Sequence, residues 1–423
     1  MNMPVANSLV APTVFDTLLA PVQTYVDQQE QERPRHHNET FTYQEFFRLL
    51  VYYVVSNMPS MSLLLTTYLP KGLVSPALKL RSVPHSTVSD AFERFSPKLF
   101  RAVFVFLLGT VTLQTVPELA ALGVLYCIDG SLFPTLQTMQ WAAYKTTCQA
   151  IKLHLCFELN RMIPVDLVVG TGKSSERDAL RQMLAAGVTY LADRGYVCFR
   201  LFHEVVTAQA HFIFRMKANL TYQRRTTLGI HVPLAARTLF QQITDHLIVC
   251  LNDPYQQVYR LVTFRVGDTT FLLLTDRRDL TTFQIMLLYA YRWQVELIFR
   301  FLKRTMTGIH LINHSEEGVT IYFYVLVIAA ILQLHLKQHA RLHHEQSDVP
   351  PPPDNPQSLA DDSKNVFDDL PLNPQESHPY HFFDLLGAKL ETYWKLGIHW
   401  LSMLRTILHQ PFDDQALELL GSG

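Results

Sequence analysis

Between Leu122 and Ala218 the apolar residues fall into short runs of strand character separated by helical patterns, and this order constrains the fold more than any other feature of the 423-residue chain. GVLYCID (123–129), the alternating KLHLCFEL (152–159) and, after a turn at Asn160-Arg161, IPVDLVVG (163–170) predict three consecutive strands with hairpin character. SERDALRQMLAAG (175–187) then predicts a helix, VTYLAD (188–193) a strand, FRLFHEVVTAQ (199–209) a helix and HFIFRMKA (211–218) a strand. Such an alternation builds an α/β sheet flanked by helices. Two of the strand-like runs end in aspartate, Asp129 in GVLYCIDGS and Asp193 in VTYLADRGY. A buried strand that ends in Asp and opens into a glycine-containing turn puts a carboxylate at the rim of a sheet, where open α/β sheets bind ligands. The competing reading of each aspartate is a turn cap.

A third carboxylate lies in QIMLLYAYRWQVELIFRFLKR (284–304), which predicts one amphipathic helix. At about 100° per residue, Tyr289, Arg292, Glu296, Arg300 and Lys303 share an arc of roughly 80°, and Leu288, Val295, Ile298, Phe301 and Leu302 take the opposite side. Two readings fit. The stripe is a solvated face on which Glu296 pairs with Arg292 and Arg300 at i±4, or the apolar face pins the helix and the stripe points at a site. Asp193 follows Asp129 by 64 residues and Glu296 follows Asp193 by 103. They act together only if the fold converges them, and converged carboxylates repel one another unless a divalent cation joins them.

Tyr289-x2-Arg292-x3-Glu296-x6-Lys303, preceded in order by IDGS and LADRGY, resembles the segments that carry the catalytic residues of DDE transposases of the insertion-sequence-four (IS4) family, over roughly residues 40 to 340. The resemblance implies a ribonuclease-H-like catalytic core, whose order of three strands, helix, strand, helix, strand agrees with the independent strand reading. It makes Asp129, Asp193 and Glu296 the catalytic residues and metal ligands. The cofactor implied is a pair of Mg²⁺ ions about 3.5–4 Å apart, with Mn²⁺ as a substitute; Asp129 would bridge them while Asp193 and Glu296 each hold mainly one. Arg292 and Lys303, with Arg300, would grip DNA phosphates, and Tyr289 would hydrogen-bond beside the scissile bond. Some relatives stack a flipped base on an aromatic residue, and Trp293 at the edge of the stripe is either such a platform or a core tryptophan.

The activity implied is cut-and-paste DNA transposition: binding of double-stranded DNA at transposon inverted-repeat ends, metal-dependent strand cleavage, and strand transfer into target DNA by a homodimer in a synaptic complex. Two other readings stay open, a catalytically inactive transposase-derived DNA-binding protein and a metal-dependent nuclease without strand transfer. The net charge of −1 looks wrong for a DNA binder, but residues 345–376 hold eight acids against one Lys. The remainder has 35 basic and 29 acidic residues, a balance compatible with phosphate contacts.

Around this core the sequence predicts a flexible segment over 1–38, an all-helical DNA-binding domain over 39–118, a catalytic domain over 119–340 with a β insertion at about 219–276, an acidic Pro-rich linker over 341–379 and C-terminal helices over 380–423. FTYQEFFRLLVYYVVSN (41–57) reads as a helix opened by a Thr cap, and Thr87-x-x-Asp90 after Pro84 as the start of another. Family members carry a helical DNA-binding domain at this position. PHSTVSDAFERF resembles its recognition segment, with Ser86, Thr87, Ser89 and Arg94 as DNA contacts; the alternative is plain helical packing. Gly170-Thr-Gly-Lys173-Ser174 fails the phosphate-loop pattern, because Leu167 stands where a Gly is required, and reads as a strand-to-helix loop. The apolar run 318–336 contains Gln333 and His335 and reads as a buried core helix that, by the resemblance, packs on the catalytic sheet, so no membrane association is expected. Five scattered cysteines without a C-x-x-C pair point to reduced thiols in an intracellular protein and to no structural zinc, and the resemblance implies a cytoplasmic, nucleoid-associated location.

Overall fold

The computed structural model describes residues 11–35, 37–113, 115–146, 148–306, 311–347 and 400–421. Its contacts divide the described residues into two units: those up to Leu113 join Leu302–Ser347 and 400–421 in one, and those within Gln114–Phe301 form the other.

The first unit is helical. Thr42 caps the helix Tyr43–Val55 through a reciprocal capping box with Glu45, as the sequence predicts. Its aromatic residues explain why it is buried almost throughout: Phe46 meets Phe92 and Phe95 at centroid separations of 4.9 and 5.4 Å, and Tyr43 meets Phe100 at 5.5 Å. Three expectations fail in this unit. Residues 14–32, taken for part of a flexible segment, form a helix that starts in a Thr13–Asp16 capping box and buries Val14, Phe15, Leu18, Leu19, Val22 and Val26; the i, i+4, i+8 spacing of Val14, Leu18 and Val22 carried that signal. The helix expected to open at Thr87 begins at His85 after Pro84, and Thr87 is not its cap. The apolar helix runs over Glu316–Ser347 and packs within this helical unit, on the helices Pro97–Thr110, Tyr43–Val55, Val14–Glu32 and Asp414–Gly421. It is the one described helix long and apolar enough to cross a membrane, and 78% of its apolar window is buried. Residues 341–347, expected to open the linker 341–379, instead continue this helix; the rest of the linker and the proposed C-terminal helix up to residue 399 lie outside the described residues, and residues 400–407 and Asp414–Gly421 are helical.

The second unit is built on one sheet of ten strands: β1 (Val124–Thr135), β2 (Ala143–Lys145), β3 (Cys148–Glu158), β4 (Ile163–Thr171), β5 (Val188–Ala192), β6 (His211–Arg215), β7 (Tyr222–Thr227), β8 (Gln241–Cys250), β9 (Val258–Val266) and β10 (Thr269–Thr275). The lateral order β3-β1-β5-β6 has β4 on the outer side of β3 beside β2, and continues from β6 through β10, β9 and β8 to β7. β1 pairs antiparallel with β3 and parallel with β5, and β5 pairs parallel with β6. The helices Glu176–Gln182 and Phe199–Thr207 supply the crossovers that parallel pairing requires. Every residue of VTYLA in β5 is buried, the continuous apolar run expected of a strand covered on both faces. Phe202 on the second crossover helix stacks on Phe212 at 4.7 Å and anchors that helix to the sheet. The predicted β insertion is present and extends the sheet, since β10 pairs antiparallel with β6.

Candidate active site

Asp193 sits where the sequence puts it, directly after β5, and its side chain accepts from the Arg194 amide at 2.7 Å. Asp129 does not end a strand. β1 continues to Thr135, and Gly130, expected in a turn, is paired with His154 of β3. The reason lies in the neighbours: the pairing with β5 stops at Cys127, whereas the pairing with β3 continues to Thr135. Asp129 therefore lies where β1 outruns its parallel partner, which is the rim position reached by a different route.

The stretch 284–304 is also not one helix. Thr281 caps a helix over Thr282–Tyr291, Arg292 forms the break, and a second helix runs over Trp293–Met306. Tyr289 and Arg292, expected on an exposed stripe, are each only 5% exposed. The Arg292 guanidinium donates through Nη2 to Glu296 Oε1 at 2.8 Å and places Nη1 3.8 Å from Asp129 Oδ2, while Nε is buried with no hydrogen-bond partner. The guanidinium also lies 5.7 Å from the centroid of the Tyr289 ring, and the Tyr289 hydroxyl is 3.4 Å from Asp193 Oδ1. All three carboxylates thus meet one two-residue corner, Asp129 and Glu296 through Arg292 and Asp193 through Tyr289.

The electrostatics follow from this burial. Asp129 is pushed up to about 6, chiefly by desolvation; the Gly130 amide and Arg292 pull against the shift, and the charges of Glu296 and Glu176 add to it. Burial pushes Tyr289 up to about 12, so it remains a neutral hydroxyl donor at physiological pH. Arg292 is raised in spite of burial by Tyr289, Glu296 and Asp129. Among the described residues no three His, Cys, Asp or Glu side chains gather closely enough to hold an ion, so the direct three-carboxylate cluster expected from the sequence is not formed. The Arg292 guanidinium reaches both Asp129 and Glu296. The donor set itself suits a hard divalent cation, because every candidate ligand is a carboxylate oxygen.

The remaining candidates divide. Arg300 and Lys303 are exposed, and the side chain of Trp293 lies outside the described residues. Ser86, Ser89 and Arg94 are exposed on the helix His85–Arg94 and Thr87 is half-buried, but Arg94 donates to the Phe41 carbonyl at 3.0 Å and its guanidinium lies over the Phe95 ring at 4.8 Å. Sequence reasoning missed Glu176, whose charge reaches Asp129, and Lys152, which donates to Glu176 at 2.8 Å. The loop Gly172–Ser175 joins β4 to the helix Glu176–Gln182, as the failed phosphate-loop pattern indicates.

An α/β sheet with Asp129 inside one strand and Asp193 at the end of another, together with a helix bearing Glu296, is the architecture in hand, and comparison with known proteins identifies the family. Residues 121–332 match the model of the transposase DDE domain, half of the chain, and the protein belongs to that family. It is similar to the "Putative transposase y4zB" of Sinorhizobium fredii, 26% identical over 60% of this chain and 71% of that protein. It is also similar to the "Probable transposase for insertion sequence element IS5377" of Geobacillus stearothermophilus, 23% identical over 61% of this chain and 69% of that protein.

Proposed function

We propose that this protein is a cut-and-paste DNA transposase of the IS4 type with a ribonuclease-H-like catalytic core, in which Asp129, Asp193 and Glu296 hold two Mg²⁺ ions, with Mn²⁺ able to replace them. The observation that supports the reading is the pair of contacts at Tyr289 and Arg292: Arg292 reaches Asp129 and Glu296, and Tyr289 reaches Asp193, although these carboxylates are spread over 168 residues of sequence. The strand order β4-β3-β1-β5-β6, with β1 and the two later strands parallel, supports the ribonuclease-H-like assignment.

Bound divalent ions supply a polarised phosphoryl oxygen and an activated water or DNA 3′-OH, which breaking a phosphodiester requires. The chain's own groups do the rest. Arg292 offsets the charge of Asp129 and Glu296 and fixes the rotamer of Glu296. Tyr289 donates a hydroxyl beside Asp193. Arg300 and Lys303, exposed on the glutamate helix, grip phosphates flanking the scissile bond; Arg292 is buried and acts on the carboxylates instead. The helix His85–Arg94 contacts transposon-end DNA, and a homodimer brings two ends together.

Glu296→Gln tests this. It removes a metal ligand with almost no change of shape. With double-stranded DNA carrying the inverted repeats that flank the coding sequence, cleavage should fall by at least about a hundredfold while binding of the same DNA, measured by fluorescence anisotropy, is retained. Wild-type cleavage by the variant would reject the assignment.

A further inference from the structure

Both aspartate motifs contain a glycine, Gly130 after Asp129 and Gly195 two residues after Asp193, and neither has a positive φ. Backbone freedom is therefore not what these positions use. What they use is the missing side chain. A Cβ at Gly130 would come within 2.8 Å of Lys152 Cε and 3.0 Å of His154 Nδ1. A Cβ at Gly195 would overlap Glu176 Oε2. Lys152 and Glu176 are the two halves of one ion pair, Nζ to Oε1 at 2.8 Å, with side chains only 15% and 26% exposed. One half of the pair lies against the backbone that follows Asp129 and the other against the backbone that follows Asp193. The flanking loop is packed on the same principle: a Cβ at Gly170 would come within 2.8 Å of Ser174, whose hydroxyl is 2.9 Å from His154 Nε2.

We propose that the Lys152–Glu176 ion pair is a positioning brace that sets the separation of Asp129 and Asp193, and that Gly130 and Gly195 lack side chains in order to admit it. Lys152 comes from β3, the antiparallel partner of β1, and Glu176 from the first turn of the crossover helix that leads to β5. The pair links the strand beside Asp129 to the helix that precedes the Asp193 strand, so shifting either half moves one carboxylate relative to the other. The inference rests on the reading of Asp129 and Asp193 as metal ligands.

Titration of the full-length protein with Mn²⁺ alone, followed by electron paramagnetic resonance, tests the brace in a double-mutant cycle. Lys152→Met, Glu176→Gln and the double variant should each weaken Mn²⁺ binding by a similar factor, about ten- to a hundredfold, as loss of a group orienting a metal ligand does. Gly195→Ala should do the same from the opposite side, and Lys152→Arg, which keeps the pair, should bind as wild type. Circular dichroism confirms that each variant is folded, a readout a purely structural role would move first. Losses that multiply in the double variant, or a loss confined to Glu176→Gln, would overturn the brace, the latter by making Glu176 a ligand in its own right. Asp129→Asn separates the two levels: if it binds Mn²⁺ as wild type does, the metal reading fails and takes the brace with it, whereas a collapse of binding there with a multiplicative cycle leaves the site and removes only the brace.

Discussion

Two arginine–carboxylate clusters of the sheet unit share a deeply buried guanidinium and differ in what surrounds it: the aspartate is fully buried in one, and the two carboxylates of the other are 26% and 31% exposed. In the β insertion, Arg260 is 3% exposed and Asp245 fully buried; Nε and Nη2 of the arginine reach the two aspartate oxygens at 2.9 and 2.6 Å. Thr282 adds a hydroxyl to the same carboxylate, and the remaining Arg260 nitrogen donates to the carbonyls of Arg277 and Leu280. Arg292 is buried almost as deeply, yet it donates to Glu296 at 2.8 Å, only approaches Asp129 at 3.8 Å and, among the described residues, leaves Nε without a hydrogen-bond partner. A buried ion pair is stable when its lone pairs and protons are all satisfied, and leaving one unsatisfied costs about 1–3 kcal/mol. The first cluster holds the fold together. The second retains unused bonding capacity, the mark of a site that completes itself with something else.

Breaking each cluster should separate stability from chemistry. The largest effect is expected for Asp245→Ala, which strands a buried guanidinium and should cost about 3–5 kcal/mol in denaturant unfolding; a loss below about 1 kcal/mol would erase the contrast. Asp129→Asn should go the other way. The carboxyl titrates near 6 in the folded chain against a reference value of 3.8, so between those pH values the folded chain holds a proton that the unfolded chain has lost. Stability therefore falls as pH rises through this window and stays lower above it. The asparagine variant should be more stable than wild type by up to about 3 kcal/mol above pH 7, with no advantage below pH 4. Parallel stability curves at the two pH values would show that Asp129 is not strained by its surroundings.

Smaller effects sharpen the division of the polar stripe. Arg300→Ala and Lys303→Ala should each lower the log–log salt slope of DNA binding by about one per lost phosphate contact. Arg292→Ala should leave that slope unchanged while cleavage collapses. A reduced slope for Arg292→Ala would return it to the phosphates and place its guanidinium elsewhere in the DNA complex.

The strand order was legible because β5 is an uninterrupted apolar run and β3 alternates, two patterns that report burial directly. The position of Asp193 followed from the same signal. Asp129 misled, because the end of an apolar run marks where burial changes and not where hydrogen bonding stops: β1 continues past Asp129 on the β3 side alone. The helix break at Arg292 was invisible for a similar reason. YAYRWQVE contains no Pro or Gly, and helical periodicity cannot distinguish one helix from two in near succession, so the buried Arg292 read as part of an exposed stripe. Nor could periodicity disclose the Lys152–Glu176 pair, which joins residues 24 apart from a strand and a helix. The only trace of it in the sequence was the glycine after each aspartate.

The central claim, that Asp129, Asp193 and Glu296 serve one metal-binding site, is tested most directly by bound iron. Full-length protein loaded with Fe²⁺ and exposed to ascorbate and peroxide is cut by hydroxyl radicals close to the ion, and the cuts can be mapped by mass spectrometry. The account predicts backbone cuts clustered near residues 129, 193 and 296, suppressed together by excess Mg²⁺ and by Asp129→Asn. Cuts confined to one of the three segments, or unaffected by Asp129→Asn, would contradict it.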